Sequence, residues 1–394
     1  MTETEKRVPE LRFEGFVEDW EQRKLIGEID KVLDYRGKSP TKFGMKWEST
    51  GYLVLSALNV KDGYIDKAVD AKCGNQALFE RWMGFERLEK GDVIFTTEAP
   101  LGNVAQIPDD DGYILNQRAV GFKTNPDNLN NNFLAQLLRT PLFQNKLQAN
   151  ASGGTAKGIG MKEFAKLDVT IPLEIDEQKR VGNFFNLIDD TIALHLCKQH
   201  QLEALKQSLI KDILPQNDSV IPRLRFANFI KPWEHHQLKE VLKINSGRDY
   251  KHLNEGDIPV YGTGGYMLSV DGKLSNVDGI GLGRKGTIDK PQYLKAPFWT
   301  VDTLFYLTPL PNHDIYFLFT LTQSINWKTM DESTGVPSLS KAVIEKVTRT
   351  FPSLEEQQKI GSFFKQLDET IFHHQQKIDN IHSLKRTLLN KMFI

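Results

Sequence analysis

Gly281-Leu282-Gly283-Arg284-Lys285-Gly286 has the G-x-G-x-x-G spacing with which a glycine-rich turn lays a dinucleotide's pyrophosphate on a helix N-terminus. Its context does not fit, because Pro291 and "LKAPFW" follow where that helix would have to open. Gly37-Lys38-Ser39 fails as a phosphate loop, since Val32 stands where the leading glycine belongs. His235-His236 and His373-His374 are adjacent pairs; on a helix they point about 100° apart and cannot face one metal together. There is no G-x-S-x-G elbow and no Cys/His arrangement that suggests an activated nucleophile. "TNPDN" (Thr124–Asn128) lacks the second proline and the aromatic of an adenine-methylase motif. The chain offers no catalytic residue, metal site or cofactor site of its own.

What it does carry is cations, amides and aromatics on glycine-rich turns. Tyr35, Arg36, Lys38, Asn116, Gln117, Arg118 and Lys157 form one set; Arg248, Tyr250, Lys251, Tyr261, Thr263, Arg284 and Lys285 form another. Arg and Lys can bond guanine O6/N7, Asn and Gln can bond adenine N6/N7, and further lysines neutralise phosphates. Each residue alone is ordinary surface polarity. Their clustering near turns, twice in one chain, makes both sets candidates for DNA contact.

The elements that must hold these sets are duplicated. "ELRFEGFVEDWEQRKL" (Glu10–Leu25) returns as "RLRFANFIKPWEHHQL" (Arg223–Leu238), with Trp233 matching Trp20 at a shift of 213 residues. "DEQKRVGNFFNLIDDTI" (Asp176–Ile192) returns as "EEQQKIGSFFKQLDETI" (Glu355–Ile371) at a shift of 179. Between these borders, Gly27–Asn150 and Lys243–Met330 show little mutual likeness, but both read as short apolar strands punctuated by Gly and Asp and followed by a helix. Apolar residues then recur every three or four positions: Val181, Phe184, Ile188, Ile192, Leu196, Leu202, Leu205, Leu209 and Ile213, ended by Pro215. The second series is Ile360, Phe363, Leu367, Ile371, Ile378, Ile381, Leu384, Leu388 and Met392. Each predicts a helix of roughly 37 residues, about 55 Å long. A narrow apolar stripe of that length calls for pairing as an antiparallel coiled coil, with two unrelated core helices as the alternative.

The expected fold class is α+β: two mixed α/β domains, internally duplicated, separated by two long helices. The expected division is 1–174, first globule; 175–214, first helix; 215–353, linker and second globule; and 354–394, second helix. A net charge of −1 over 394 residues gives no bulk attraction to nucleic acid, so any such binding must be local. Two cysteines without disulfide or zinc spacing, no apolar N-terminal segment in "MTETEKRVPE" and no apolar run of about 18 residues predict a soluble cytoplasmic protein that avoids membranes.

The repeated frame, "LRF…F…W…L" opening each half and "DEQKRVGNFFNLID" and "EEQQKIGSFFKQLDETI" closing them, resembles the specificity subunit of Type I restriction-modification systems over nearly the whole chain. "GDIPVYGTGG" and "GRKGTI" with "PFWTVDTLFYL" look like one recognition-domain pattern of that family; "TTEAPLGNVAQI" with "LNQRAV" looks like another. The resemblance implies two target-recognition domains that read the two unlike halves of a split site in double-stranded DNA. It also implies a subunit without catalysis, placing two methyltransferase subunits that methylate adenine with S-adenosylmethionine. A nuclease-translocase subunit, using ATP and Mg, joins them. The twin helix starts, with Phe184, Phe185, Phe363 and Phe364, are expected to offer two equivalent partner-binding surfaces. A coiled-coil protein scaffold with variable heads is the alternative, and a cofactor-dependent enzyme the third reading.

Overall fold

The computed structural model describes residues 7–154, 156–216 and 219–394. The first six residues of "MTETEKRVPE", and residues 217 and 218 of the expected linker, lie outside the described residues. Two compact units form: one runs up to His195 and adds Lys377–Ile394, the other is Leu196–Gln376. The long helices, Ile175–Ile213 and Leu354–Met392, are 39 residues each, and each contributes one part to each unit. Acidic residues in their first turns and a lysine in the last match the sign of the helix dipole.

In the first unit Asp189 of the first helix meets Lys385 of the second. In the second unit Lys206 of the first helix meets Asp368 of the second. Later residues of one helix thus face earlier residues of the other, the pairing of an antiparallel coiled coil. The stripe is not wholly the expected one: Leu205 and Leu384 are 48% and 54% exposed, whereas their neighbours Lys206 and Lys385 are buried. An ammonium takes the inner place in each case because a carboxylate on the opposite helix neutralises it.

The two globules share one strand topology. In the first unit an antiparallel sheet runs in spatial order Lys31–Leu33, Ala119–Lys123, Val93–Thr97, Leu101–Gln106; in the second it runs Leu242–Ser246, Leu304–Pro309, Gly279–Gly283, Gln292–Leu294. A smaller sheet in each has a parallel pair, Tyr52–Leu55 with Tyr113–Leu115 and Glu255–Gly262 with Trp299–Thr300. Each globule closes with a two-stranded ribbon, Glu21–Lys24 on Asp168–Ile171 and Glu234–Gln237 on Thr348–Phe351. His235-His236 therefore sits on a strand, not a helix, and its side chains alternate across the ribbon.

The repeated letters turn out to be the joint between globule and helix. Arg12 holds Glu177 through two bonds of 2.6 and 2.8 Å, and Arg225 holds Glu356 through two of 2.8 Å. Gln178 accepts from the Asn130 amide and donates to the Pro172 carbonyl, while Gln357 accepts from the Asp314 amide and donates to the Pro352 carbonyl. Asn130 and Asp314 are in turn the N-caps of the short helices Asn131–Arg139 and Ile315–Gln323. Those helix ends approach so closely that a Cβ on Gly182 would lie 2.5 Å from the Phe133 nitrogen, and one on Gly361 2.1 Å from Asp314 Oδ1. Trp20 and Trp233 pack edge-on against Phe133 and Phe317 at 5.9 and 5.8 Å. Among the described residues no helix is long and apolar enough to cross a membrane.

Candidate nucleic-acid interface

In the second unit three chain segments meet where the strand Gly279–Gly283 ends. The amides of Arg284 and Lys285 donate to the Thr303 carbonyl at 2.8 and 3.3 Å, the Leu339 amide donates to the Arg284 carbonyl at 2.9 Å, and the Gly286 amide donates to the Pro337 carbonyl at 2.8 Å. This backbone junction holds the side chains of Arg284 and Lys285 outward and exposed. Gly281 and Gly283 lie on the strand itself, where a Cβ on Gly283 would meet the Thr287 carbonyl oxygen at 2.0 Å. Close packing accounts for both glycines.

Beside the junction lies an open cleft of about 740 Å³, lined by Tyr250, Lys251, Thr263, Tyr266, Asp302 and Thr303. Its hairpin tip is pinned by Gln292, whose side-chain amide donates to the Gly262 and Thr263 carbonyls at 3.0 and 3.1 Å. Arg248 and Lys251 are exposed, and the Arg248 backbone is fixed by bonds to Thr300 and Trp299. Tyr261 is half-buried, and that burial raises its phenol pKa above the ordinary value. The structure therefore brings Tyr250, Lys251 and Thr263 together in one cleft, with Arg284 and Lys285 tied to its Thr303 edge, while Tyr261 packs against the apolar cluster around Val260 and Trp299.

The first unit repeats the junction with other side chains. The Thr97 amide donates to the Arg118 carbonyl at 2.8 Å, and the Ile159 amide donates to the Thr97 carbonyl at 2.9 Å. A bridge between Glu98 and Gly158 answers the bridge between Lys285 and Ser338. Position by position, Thr97-Glu98 stands where Arg284-Lys285 stands, and Arg118 where Thr303 stands. Gln117 donates to the Lys38 carbonyl at 3.0 Å, Asn116 is half-buried beside it, and Lys157 is exposed next to Gly158.

Three members of the first set are occupied elsewhere. Tyr35 is only 9% exposed, its ring in the core and its hydroxyl directed at the carbonyls of Met83 and Glu86. The Lys38 ammonium donates to the Trp82 carbonyl at 2.7 Å above the Tyr35 ring, and burial lowers its pKa. Arg36 is paired with Asp34. Glu98 was missed from sequence because a search for cations passes over a carboxylate. The signal was positional: it stands two residues beyond "VIFT" (Val93–Thr96) as Lys285 stands two residues beyond "GIGLG" (Gly279–Gly283).

The phenylalanine expectation also needs correction. Phe185 and Phe364 are wholly buried in the cores of their own units and have no surface for a partner. Phe184 and Phe363 are half-buried against Phe13 and Phe226 of the repeated "LRF" segments, at 5.7 and 6.0 Å. The paired rings thus bind frame to helix within the chain. Among the described residues no group of three or more His, Cys, Asp or Glu could hold a metal ion.

The Type I restriction modification DNA specificity domain matches the chain twice, over residues 17–204 and 230–383. The crystal structure of a Type I restriction-modification S subunit from M. genitalium is similar over 98% of this chain and 99% of that one, with 17% identity and a TM-score of 0.69. A chain from a structure describing complex assembly and conformational transition of the type I R-M system is similar over 95% of this chain and 97% of that one, with 18% identity and a TM-score of 0.51. At such identities the likeness is one of fold. No curated protein sequence matches the chain. The paired domain matches settle the family: the chain belongs to the Type I restriction-modification DNA specificity subunits, a family that confers sequence recognition and is itself non-catalytic.

Proposed function

We propose that the chain reads a bipartite site in double-stranded DNA, each globule contacting one half. On this reading the chain also carries two copies of an adenine-N6 methyltransferase subunit and receives a nuclease-translocase subunit. S-adenosylmethionine belongs to the first partner, ATP and Mg to the second; this chain holds neither. One observation carries the reading: the same backbone junction occurs in both globules and presents unlike side chains to solvent, half-exposed Glu98 and exposed Arg118 in one, exposed Arg284 and Lys285 in the other. A common scaffold with exchanged side chains is what two readers of different sequences require, because base-edge contacts specify while the frame only positions.

The near-neutral charge fits a subunit whose partners supply much of the phosphate neutralisation. Mapping methylated adenines in the host genome, with the gene intact and deleted, tests the proposal. A split motif that vanishes on deletion is expected; an unchanged methylation pattern rejects it.

A further inference from the structure

We propose that Glu98 and Arg118 together read one G·C base pair in the half-site of the first globule. This rests on the DNA-reading function proposed above and assigns chemistry to two of its positions. Glu98 Oε2 lies 3.7 Å from Arg118 Nε, with the side chains 42% and 55% exposed. An exposed pair at that distance contributes little to stability. The fold therefore gives no strong reason for keeping the two charges there.

Arg118 adds a second observation. Its φ is 67°, in the left-handed region where a side chain is strained and where Gly or Asn would be easier. Strain held by a non-glycine residue is characteristic of functional positions. Its carbonyl ties down Thr97, so the backbone is fixed while the guanidinium stays outside.

The carboxylate decides what the pair can read. Phosphates repel it, so beyond Arg118 itself the DNA group that suits Glu98 is a base amino group. In the major groove cytosine presents N4–H₂ as donor and its paired guanine presents O6 and N7 as acceptors. A carboxylate beside a guanidinium matches that pattern: Glu98 accepts from cytosine, and Arg118 donates to both guanine acceptors. An adenine amino group could satisfy Glu98, but the A·T pair has no O6/N7 pair of acceptors for Arg118. Lys157, exposed next to Gly158, is the neighbouring cation suited to a phosphate.

The test replaces the chromosomal gene by Arg118→Ala and Glu98→Gln alleles and maps methylated adenines at single-base resolution. Wild type should show a motif with a G·C pair in one half-site. Both variants should relax that same position, lowering its discrimination roughly 5- to 150-fold, and leave the other half-site intact. Full discrimination retained by either variant, relaxation at different positions, or a half-site lacking a G·C pair overturns the assignment. Should a variant methylate nothing, selection from a randomised duplex library by the purified complex reads its preference directly. Loss at the one position supports the proposal, and unchanged or wholly lost preference rejects it. A wild-type genome without any split motif instead rejects the DNA-reading function itself.

Discussion

Lys385 donates to both carboxylate oxygens of Asp189, at 2.6 and 2.7 Å, and one repeat away Lys206 lies 2.6 Å from Asp368 with the helices' roles exchanged. The lysine side chains are 5% and 9% exposed. Each carboxylate also binds its own globule: Asp189 accepts from Arg139 at 2.6 Å, and Asp368 accepts from the Tyr316 hydroxyl at 3.0 Å. Buried charge pairs of this kind specify a register, because sliding the helices leaves an ammonium unpaired in the interior.

Asp189→Asn therefore removes a full negative charge that bonds both Lys385 and Arg139. Breaking a buried pair from one side costs about 3–5 kcal/mol. Lys385→Met should cost less, since it leaves Asp189 its Arg139 partner and fills the space with apolar atoms. Denaturant melts of the three proteins check this ranking. Equal stability of wild type and Asp189→Asn would remove the pair from any structural role.

The same cluster predicts a pH dependence. Burial first, and repulsion by Arg139 second, push the Lys385 pKa down to about 8 from its ordinary 10.5. Between those values the unfolded chain binds a proton that the folded chain has released, so stability rises with pH across that window. Below about pH 8 both states are protonated and this contribution has no slope. Melts from pH 7 to 10 should show wild type gaining relative to Lys385→Met, by at most about 1.4 kcal/mol per pH unit. A difference that stays flat, or falls, contradicts the assignment.

The sequence made the duplication legible because the joint needs particular groups: a carboxylate for the arginine, an amide for the cap, a glycine for the close approach. Glu177, Gln178 and Gly182 recur as Glu356, Gln357 and Gly361 for these reasons. The common topology of the globules was far less legible. Strand pairing is made by backbone groups, and Gly283 and Thr96 can occupy equivalent places without resembling each other. Tyr35 was misread because an aromatic among cations has the same letters whether it faces DNA or the core. Leu205 was misread because a period of three or four residues does not reveal that the next residue, Lys206, finds a carboxylate inside.

Gly182→Ala and Gly361→Ala test the joint. Alanine gains roughly 1 kcal/mol of helix propensity over glycine at an interior position. At Gly182 the added Cβ would meet backbone, the Phe133 nitrogen at 2.5 Å and the Asn132 carbon at 2.8 Å. At Gly361 the nearest atom is Asp314 Oδ1, a side-chain end that can turn away at the loss of its cap on Phe317. Both variants should be destabilised, Gly182→Ala the more, by roughly 1–3 kcal/mol of overpacking net of the propensity gain. Melting temperatures decide, and a stabilised Gly182→Ala would rule out the close helix contact.

Arg284 and Lys285 should fail in different ways although they are neighbours. Both amides are anchored on the Thr303 carbonyl, so either side chain can be truncated without releasing the backbone that presents it. Arg284, whose guanidinium lies 5.8 Å from the Phe305 ring centroid, is partly oriented by that contact and is the better placed for a fixed bond to a base edge. Arg284→Ala should cost about 1–3 kcal/mol at the cognate site and relax one position of the second half-site. Lys285, an exposed and flexible point charge, suits a phosphate: Lys285→Ala should weaken cognate and unrelated duplexes alike and reduce the salt dependence of binding by about one ion. Binding titrations of the assembled complex at several salt concentrations, on cognate duplexes and on single-position variants, separate the two effects. If Lys285→Ala altered the preferred sequence while Arg284→Ala changed only affinity, the roles would have to be exchanged.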